Sequence, residues 1–126
     1  MTLHPGLSAE FEVEVGPADT AVALGSGELE VLGTPRVVAL VEQATVRAVA
    51  EHLDDGQTTV GIEVALRHRR ASLLGDRVRV TAELVEIVGI RLTFDVSVRG
   101  GEALLADGRV QRAVVDGVQF MARLQR

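Results

Sequence analysis

One segment limits this chain's folding options more than any other. The run from Thr34 to Leu53, TPRVVALVEQATVRAVAEHL, is apolar nearly all the way round when read at helical spacing. Val37, Val38, Leu40, Val41, Val46, Val49 and Leu53 leave a single solvent stripe of Arg36, Gln43, Arg47 and Glu51, at about 100° per residue. Such a helix must be covered by the rest of its chain or by a partner. Thr34 is placed to cap it, and Pro35 suits its first turn, where a missing N–H costs nothing. Glu42 falls outside the polar stripe, flanked by Val38, Val46 and Val49, with no Arg at i±3 or i±4. An unpaired carboxylate among apolar groups is costly, and desolvation raises its pKa. Three explanations are open: a partner arrives from elsewhere in the fold, the position is kept for chemistry, or Glu42 reaches water past the helix edge.

The remaining segments supply the cover. AEFEVEVG alternates Phe11, Val13 and Val15 with Glu10, Glu12 and Glu14, the pattern of a half-buried strand. PADTAVALGSGELEVLG reads as a loop with a short helical turn, and DDGQ as a turn. TTVGIEVALRHRRA places Val60, Ile62, Val64 and Leu66 on one face. DRVRVTAELVEIVG places Val78, Val80, Ala82 and Leu84 on one face, and IRLTFDVSVRGG does the same with Ile90, Leu92, Phe94, Val96 and Val98. Gly100 and Gly101 make a hairpin turn into EALLADGRVQRAVVD, and the tail GVQFMARLQR reads as a last helix or coil. The order is strand, loop, one long helix, then four strands. It predicts one α+β domain over residues 1–126, an antiparallel sheet wrapped around one central helix.

Composition removes several functions. Net charge is −5, and aromatic residues make up 2% of the chain with no Trp or Tyr, which argues against nucleic acid as a partner. All 13 basic residues are Arg, so lysine Schiff-base chemistry is absent. There is no Cys, which removes thiolate nucleophiles and Cys-ligated zinc. His4, His52 and His68 are scattered, so no metal site is expected. The N-terminus lacks the charged start and apolar block of a signal peptide, and no apolar run has the length of a membrane span. These features predict a cytoplasmic protein without a membrane partner.

Several residues can carry chemistry. His68 continues the parity of Val64 and Leu66, which aims its imidazole at the helix side of its strand. The structural alternative is a satisfied core or rim histidine. Arg112 shares parity with Val110 and Val114, and a buried Arg wants a carboxylate or an anionic ligand. A bulge at Asp107-Gly108 would flip that parity. Gly61 in a strand interior marks close backbone approach to a ligand. Thr34 serves either as a helix cap or in the site. Eight residues separate it from Glu42, roughly 12 Å along a straight helix. Arg67, Arg69, Arg70, Arg77 and Arg79 form either an exposed solubilising face or a cradle for phosphates.

From LGTPRVVALVEQATVRAV through VGIEVALRHRRASLLGDRVRVTAELVEI to GRVQRAVV, most of residues 32–115, the chain resembles the hotdog-fold thioesterases. Within them it is most similar to the fluoroacetyl-CoA thioesterase type. The family's catalytic Thr, Glu and His match Thr34, Glu42 and His68 with their spacings preserved. Its glycine that helps hold the thioester matches Gly61, and its late-strand Arg matches Arg112. The resemblance implies an acyl-CoA substrate, with coenzyme A entering as part of it and no separate cofactor. It also implies a homodimer, with a tetramer left open, and active sites near the subunit interface. Glu42 would attack the thioester carbonyl or activate water. His68 would act as its acid–base partner or protonate the departing thiolate. Thr34 would position Glu42, water or the carbonyl, and the Gly61 N–H would stabilise the oxyanion. Arg67 and Arg70 would bind substrate phosphates. The segment LGSGELEV lacks the lid phenylalanines of the fluoroacetyl enzyme, which implies a broader or different acyl specificity. Other activities consistent with these residues are a hotdog hydratase or dehydratase, and a non-catalytic acyl-CoA binding protein. A different α+β architecture, with Glu42 as an edge residue, also remains open.

Overall fold

Period-two alternation becomes a sheet of five strands, and the apolar helix becomes its filling. A computed structural model describes residues 2–125. The strands are β1 (Ser8–Glu14), β2 (Gln57–His68), β3 (Arg77–Val88), β4 (Arg91–Gly100) and β5 (Ala103–Asp116). They lie in the order β1-β3-β4-β5-β2, and every neighbouring pair is antiparallel. The helices are α1 (Ala21–Leu24), α2 (Thr34–Val49) and α3 (Gly117–Leu124). A 3₁₀ turn, Ala50–His52, extends α2 almost to the expected Leu53. The tail is a helix rather than coil, because the Asp116 side chain accepts from the Gln119 N–H at 2.9 Å and caps it. No described helix is long and apolar enough to cross a membrane.

Packing, rather than helix propensity, holds α2 in place. Its many valines lose rotamer freedom in a helix. Val37, Leu40, Val41, Ala44 and Val49 are buried against Val78, Val80, Leu84, Leu92, Phe94, Val98 and Val110 of the sheet. Burial of a large apolar side chain such as Leu84 or Phe94 is worth about 1.5–3 kcal/mol, so a few of these contacts outweigh the propensity deficit. The helix contacts all five strands. Its remaining side is open: Val38 is half-buried, Ala39 is exposed, and Val46 is 41% exposed.

Several local expectations are corrected, and the parity expected of Arg112 holds. The N-cap of α2 is Gly33, in extended conformation, so Thr34 is the first helical residue and its hydroxyl does not cap. In β2 the register shifts between Gly61 and Glu63, which makes Ile62 a bulge. Inward parity therefore changes there. Thr59 and Gly61 face α2 before the bulge, and Val64, Leu66 and His68 face it after. Val60 and Ile62 do not share their face, and Ile62 is 50% exposed. In β5 the irregularity lies at Leu105, not at Asp107-Gly108, so Leu105 and Ala106 both turn inward and Arg112 keeps the parity of Val110 and Val114. Ile90 belongs to the turn before β4 and is exposed, whereas Leu92 to Val98 alternate inward as expected. The expected hairpin forms one residue later than Gly100-Gly101: Gly100 ends β4 opposite Ala103, and Gly101 and Glu102 make the turn, with Gly101 at φ +60°.

Candidate active site

The question raised by Glu42 is answered from β5. Arg112 donates from Nη1 to Glu42 Oε2 at 3.1 Å. Two further bonds fix the guanidinium: Nε donates to Thr59 Oγ1 at 2.8 Å, and Nη2 donates to the Thr59 carbonyl at 3.1 Å. Arg112 is only 7% exposed. Burial lowers its pKa, and the charge of Glu42 and their hydrogen bond oppose that shift. An arginine nonetheless stays protonated in water's pH range. Glu42 is different in kind: its side chain is 34% exposed, held by one oxygen in the protein and turned toward solvent on the open side of α2. Thr45, one turn on, anchors the same stretch by donating to the Glu42 carbonyl at 2.6 Å.

Gly61 completes this group. It pairs with Arg112 across the β2–β5 ladder. A Cβ built there would run into Glu42 Oε2 and stand 3.4 Å from Arg112 Nη1. The carboxylate occupies the space that any other residue's side chain would need. The Ile62 bulge is what turns Gly61 toward α2 while leaving His68 on that same side.

Thr34 and His68 form a second group at the start of α2. Thr34 Oγ1 and His68 Nδ1 are 2.8 Å apart, joining the first residue of the helix to the last of β2. His68 Nε2 is buried and has no hydrogen-bond partner among the described residues. Desolvation lowers the His68 pKa below 6.5, against a smaller opposing contribution from the Arg70 backbone. The ring is therefore neutral at pH 7, with one nitrogen able to donate and one to accept. Beside the pair lies an open cleft of about 250 Å³, lined by Ala21, Ser26, Val31, Leu32, Gly33 and Arg70 among others. The pre-helix segment holds this wall through the Arg36–Asp19 ion pair at 2.7 Å and the Thr20–Leu32 bridge.

The residues singled out by sequence thus fall into two clusters. Glu42, Gly61 and Arg112 meet directly, and Thr34 meets His68. Thr34 and Glu42 are about 12 Å apart along the helix. Arg70 lines the Thr34–His68 cleft, and Arg67 is exposed near the same strand end. Arg69 is held by Asp107 at 2.6 Å. Sequence reasoning missed Thr59. Its only signal was two-residue spacing from Gly61, and simple alternation put both on the wrong face.

A family model described as fluoroacetyl-CoA-specific thioesterase matches residues 15–118. The fluoroacetyl-CoA thioesterase of Streptantibioticus cattleyicolor is 36% identical over 96 residues, which is 76% of this chain and 69% of that protein. Among solved structures, a fluoroacetyl-CoA thioesterase superposes with a TM-score of 0.92 at 30% identity, covering 99% of this chain and 97% of that one. A point mutant of that type, in complex with fluoroacetate and CoA, gives a TM-score of 0.85 at 31% identity over 94% of this chain and 99% of that one. A thioesterase superfamily member from Thermus thermophilus gives 0.91 at 26% identity, covering 99% and 93%.

Proposed function

The chain belongs to the fluoroacetyl-CoA-specific thioesterase family, has the α+β hotdog fold and is a thioester hydrolase; from that premise we propose that it cleaves acyl-CoA with Glu42 as the reacting carboxylate. The observation that carries this reading is the state of Glu42. Oε2 is fixed by a buried guanidinium while the carboxylate remains a third exposed on an apolar face. A carboxylate fixed beside Arg112 is placed either to attack the thioester carbonyl or to take a proton from water. The carbonyl oxygen then gains charge, and the Gly61 N–H is the donor for it. Neutral His68, oriented through Nδ1 by Thr34, keeps a buried, unpartnered Nε2 that would serve the departing thiolate or the incoming water once substrate displaces its cover. Thr34 acts through His68 and the substrate rather than through Glu42.

The substrate reading follows from the cleft. Apart from His68, Arg69 and Arg70, its lining is small or aliphatic and holds no Phe, so short and branched acyl groups fit as readily as a fluoroacetyl group. Arg70 lines it, and Arg67 stands exposed on β2 beside a separate cleft; both suit CoA phosphates. The active form is a homodimer in the cytoplasm. A second copy would cover the free edge of β2 at Ile62 and the open α2 face at Val46, which are 50% and 41% exposed.

Thiol release from a panel of short, branched and aromatic acyl-CoAs tests the reading, with wild type and Glu42→Gln side by side. Wild type turns over, and Glu42→Gln loses at least about 10³-fold in kcat while keeping its fold. Equal turnover by the two proteins removes Glu42 from the chemistry. No release from any acyl-CoA by wild type overturns the substrate assignment.

A further inference from the structure

We propose that Thr59 is a positioning residue of the hydrolase, acting on Glu42 through Arg112. The proposal rests on the reading that Glu42 is the reacting group. Thr59 is buried in β2, two residues before Gly61, and the Ile62 bulge leaves both facing α2. It offers Arg112 two acceptors, the hydroxyl to Nε at 2.8 Å and the main-chain carbonyl to Nη2 at 3.1 Å. A planar guanidinium gripped at two of its nitrogens has no freedom to rotate, so the direction of the remaining Nη1–H is set. That N–H is the one that holds Glu42 Oε2 at 3.1 Å. The carbonyl is supplied by any residue at this position. The hydroxyl is supplied only by Thr or Ser, and here it serves as an acceptor for an obligate donor.

A valine at position 59 keeps the shape and removes that acceptor. Nε then points at a methyl group inside the core, and the guanidinium must turn to find another partner, carrying the Glu42 contact with it. The decisive experiment measures kcat and KM on the best acyl-CoA for Thr59→Val, Thr59→Ser and Glu42→Gln, with thermal melting to verify folding. Thr59→Val lowers kcat on the order of tenfold or more while KM stays within about twofold, and Thr59→Ser restores kcat. In an Arg112→Lys background Thr59→Val causes no further loss, because the fork that Thr59 grips is gone. Thr59→Cys, close in volume and a weak acceptor, decides the matter in the same way should Thr59→Val not fold. A folded Thr59→Val or Thr59→Cys with wild-type kcat, beside an inactive Glu42→Gln, overturns the proposal and leaves the parent reading standing. A Thr59→Ser as slow as Thr59→Val also overturns it, since the hydroxyl would then not be the operative group. A fully active Glu42→Gln overturns both.

Discussion

The two clusters on α2 are built in opposite ways. The middle of the helix carries a charged group assembled from three elements: Glu42 of α2, Thr59 and Gly61 of β2, and Arg112 of β5. Its cation is buried and held by three hydrogen bonds, so its geometry comes from the core. The start of the helix carries a neutral pair, Thr34 and His68, joined by one bond at the ends of their elements and beside an open cleft. A charge inside a fold must be satisfied from every side, so the first cluster tolerates little displacement. A neutral pair at element ends can adapt. The rigid cluster therefore suits a charge that must stay fixed, and the neutral pair suits the wall of an open cleft that can adjust to what enters it.

Arg112→Met breaks that comparison most severely. It keeps an apolar stem of similar length and strips Glu42 of its counter-charge. Activity falls on the order of 10²–10³-fold in thiol-release assays. The stability loss is smaller, about 1–2 kcal/mol by thermal or urea unfolding, because Glu42 is part-exposed and water replaces much of what it loses. Arg112→Lys recovers only part of the activity, since an ammonium cannot hold Thr59 and Glu42 with one planar fork. A stability loss far exceeding the activity loss would make the cluster a structural strut.

Gly61→Ala comes next. The added methyl meets the Glu42 carboxylate and presses on Arg112 Nη1, so the carboxylate must swing outward. We expect kcat to fall by roughly 10–10²-fold, with the hydrogen bonds to Thr59 intact. A crystal structure of the variant with Glu42 unmoved would show that the glycine serves some other need.

How far the sequence disclosed these clusters depended on the strand in question. β1, β3 from Val78 to Leu84 and β4 from Leu92 to Val98 alternate regularly, and their inward residues were readable one by one; the shift after Leu84 and the exposed Ile90 lie outside those stretches. Arg112 was readable for the same reason, because the irregularity of β5 lies at Leu105, before the relevant stretch. β2 was not. A bulge leaves no mark in composition, and Ile62 looks like one more inward apolar residue until the ladder places it outside. That one inserted residue hid Thr59 and made Gly61 seem to face away from His68. The Thr34-Pro35 pair misled in a different way. Thr before Pro resembles a cap, but Gly33 takes the extended cap conformation, and the hydroxyl is left for His68. The partner of Glu42 lies 70 residues away in sequence, beyond any helical spacing rule.

Thr34→Val sharpens the contrast from the adaptable side. It removes one neutral hydrogen bond, so kcat falls by only about tenfold. Because Thr34 is exposed and does not cap α2, its loss should change stability by less than about 0.5 kcal/mol, below the ~1 kcal/mol of a true cap. Thr34→Ser should retain activity. A melting temperature lowered by the full value of a cap would mean that the hydroxyl supports the helix end after all.

The smallest effect is one of pH, and its sign is fixed by His68. Its folded-state pKa lies below the ordinary 6.5 because burial disfavours the imidazolium. The unfolded chain therefore binds more protons than the folded one as the pH drops below 6.5, and stability falls with it. The favourable contribution of the neutral ring is fully present above 6.5 and is lost as pH falls through the depressed value. Arg112 stays protonated throughout this range. Melting curves of wild type and His68→Gln between pH 7.5 and pH 5 separate the clusters. Wild type loses more melting temperature on acidification than His68→Gln, which has no group to protonate at that position. If the two curves run parallel, His68 binds protons alike in the folded and unfolded chain, and burial would not be what keeps the ring neutral.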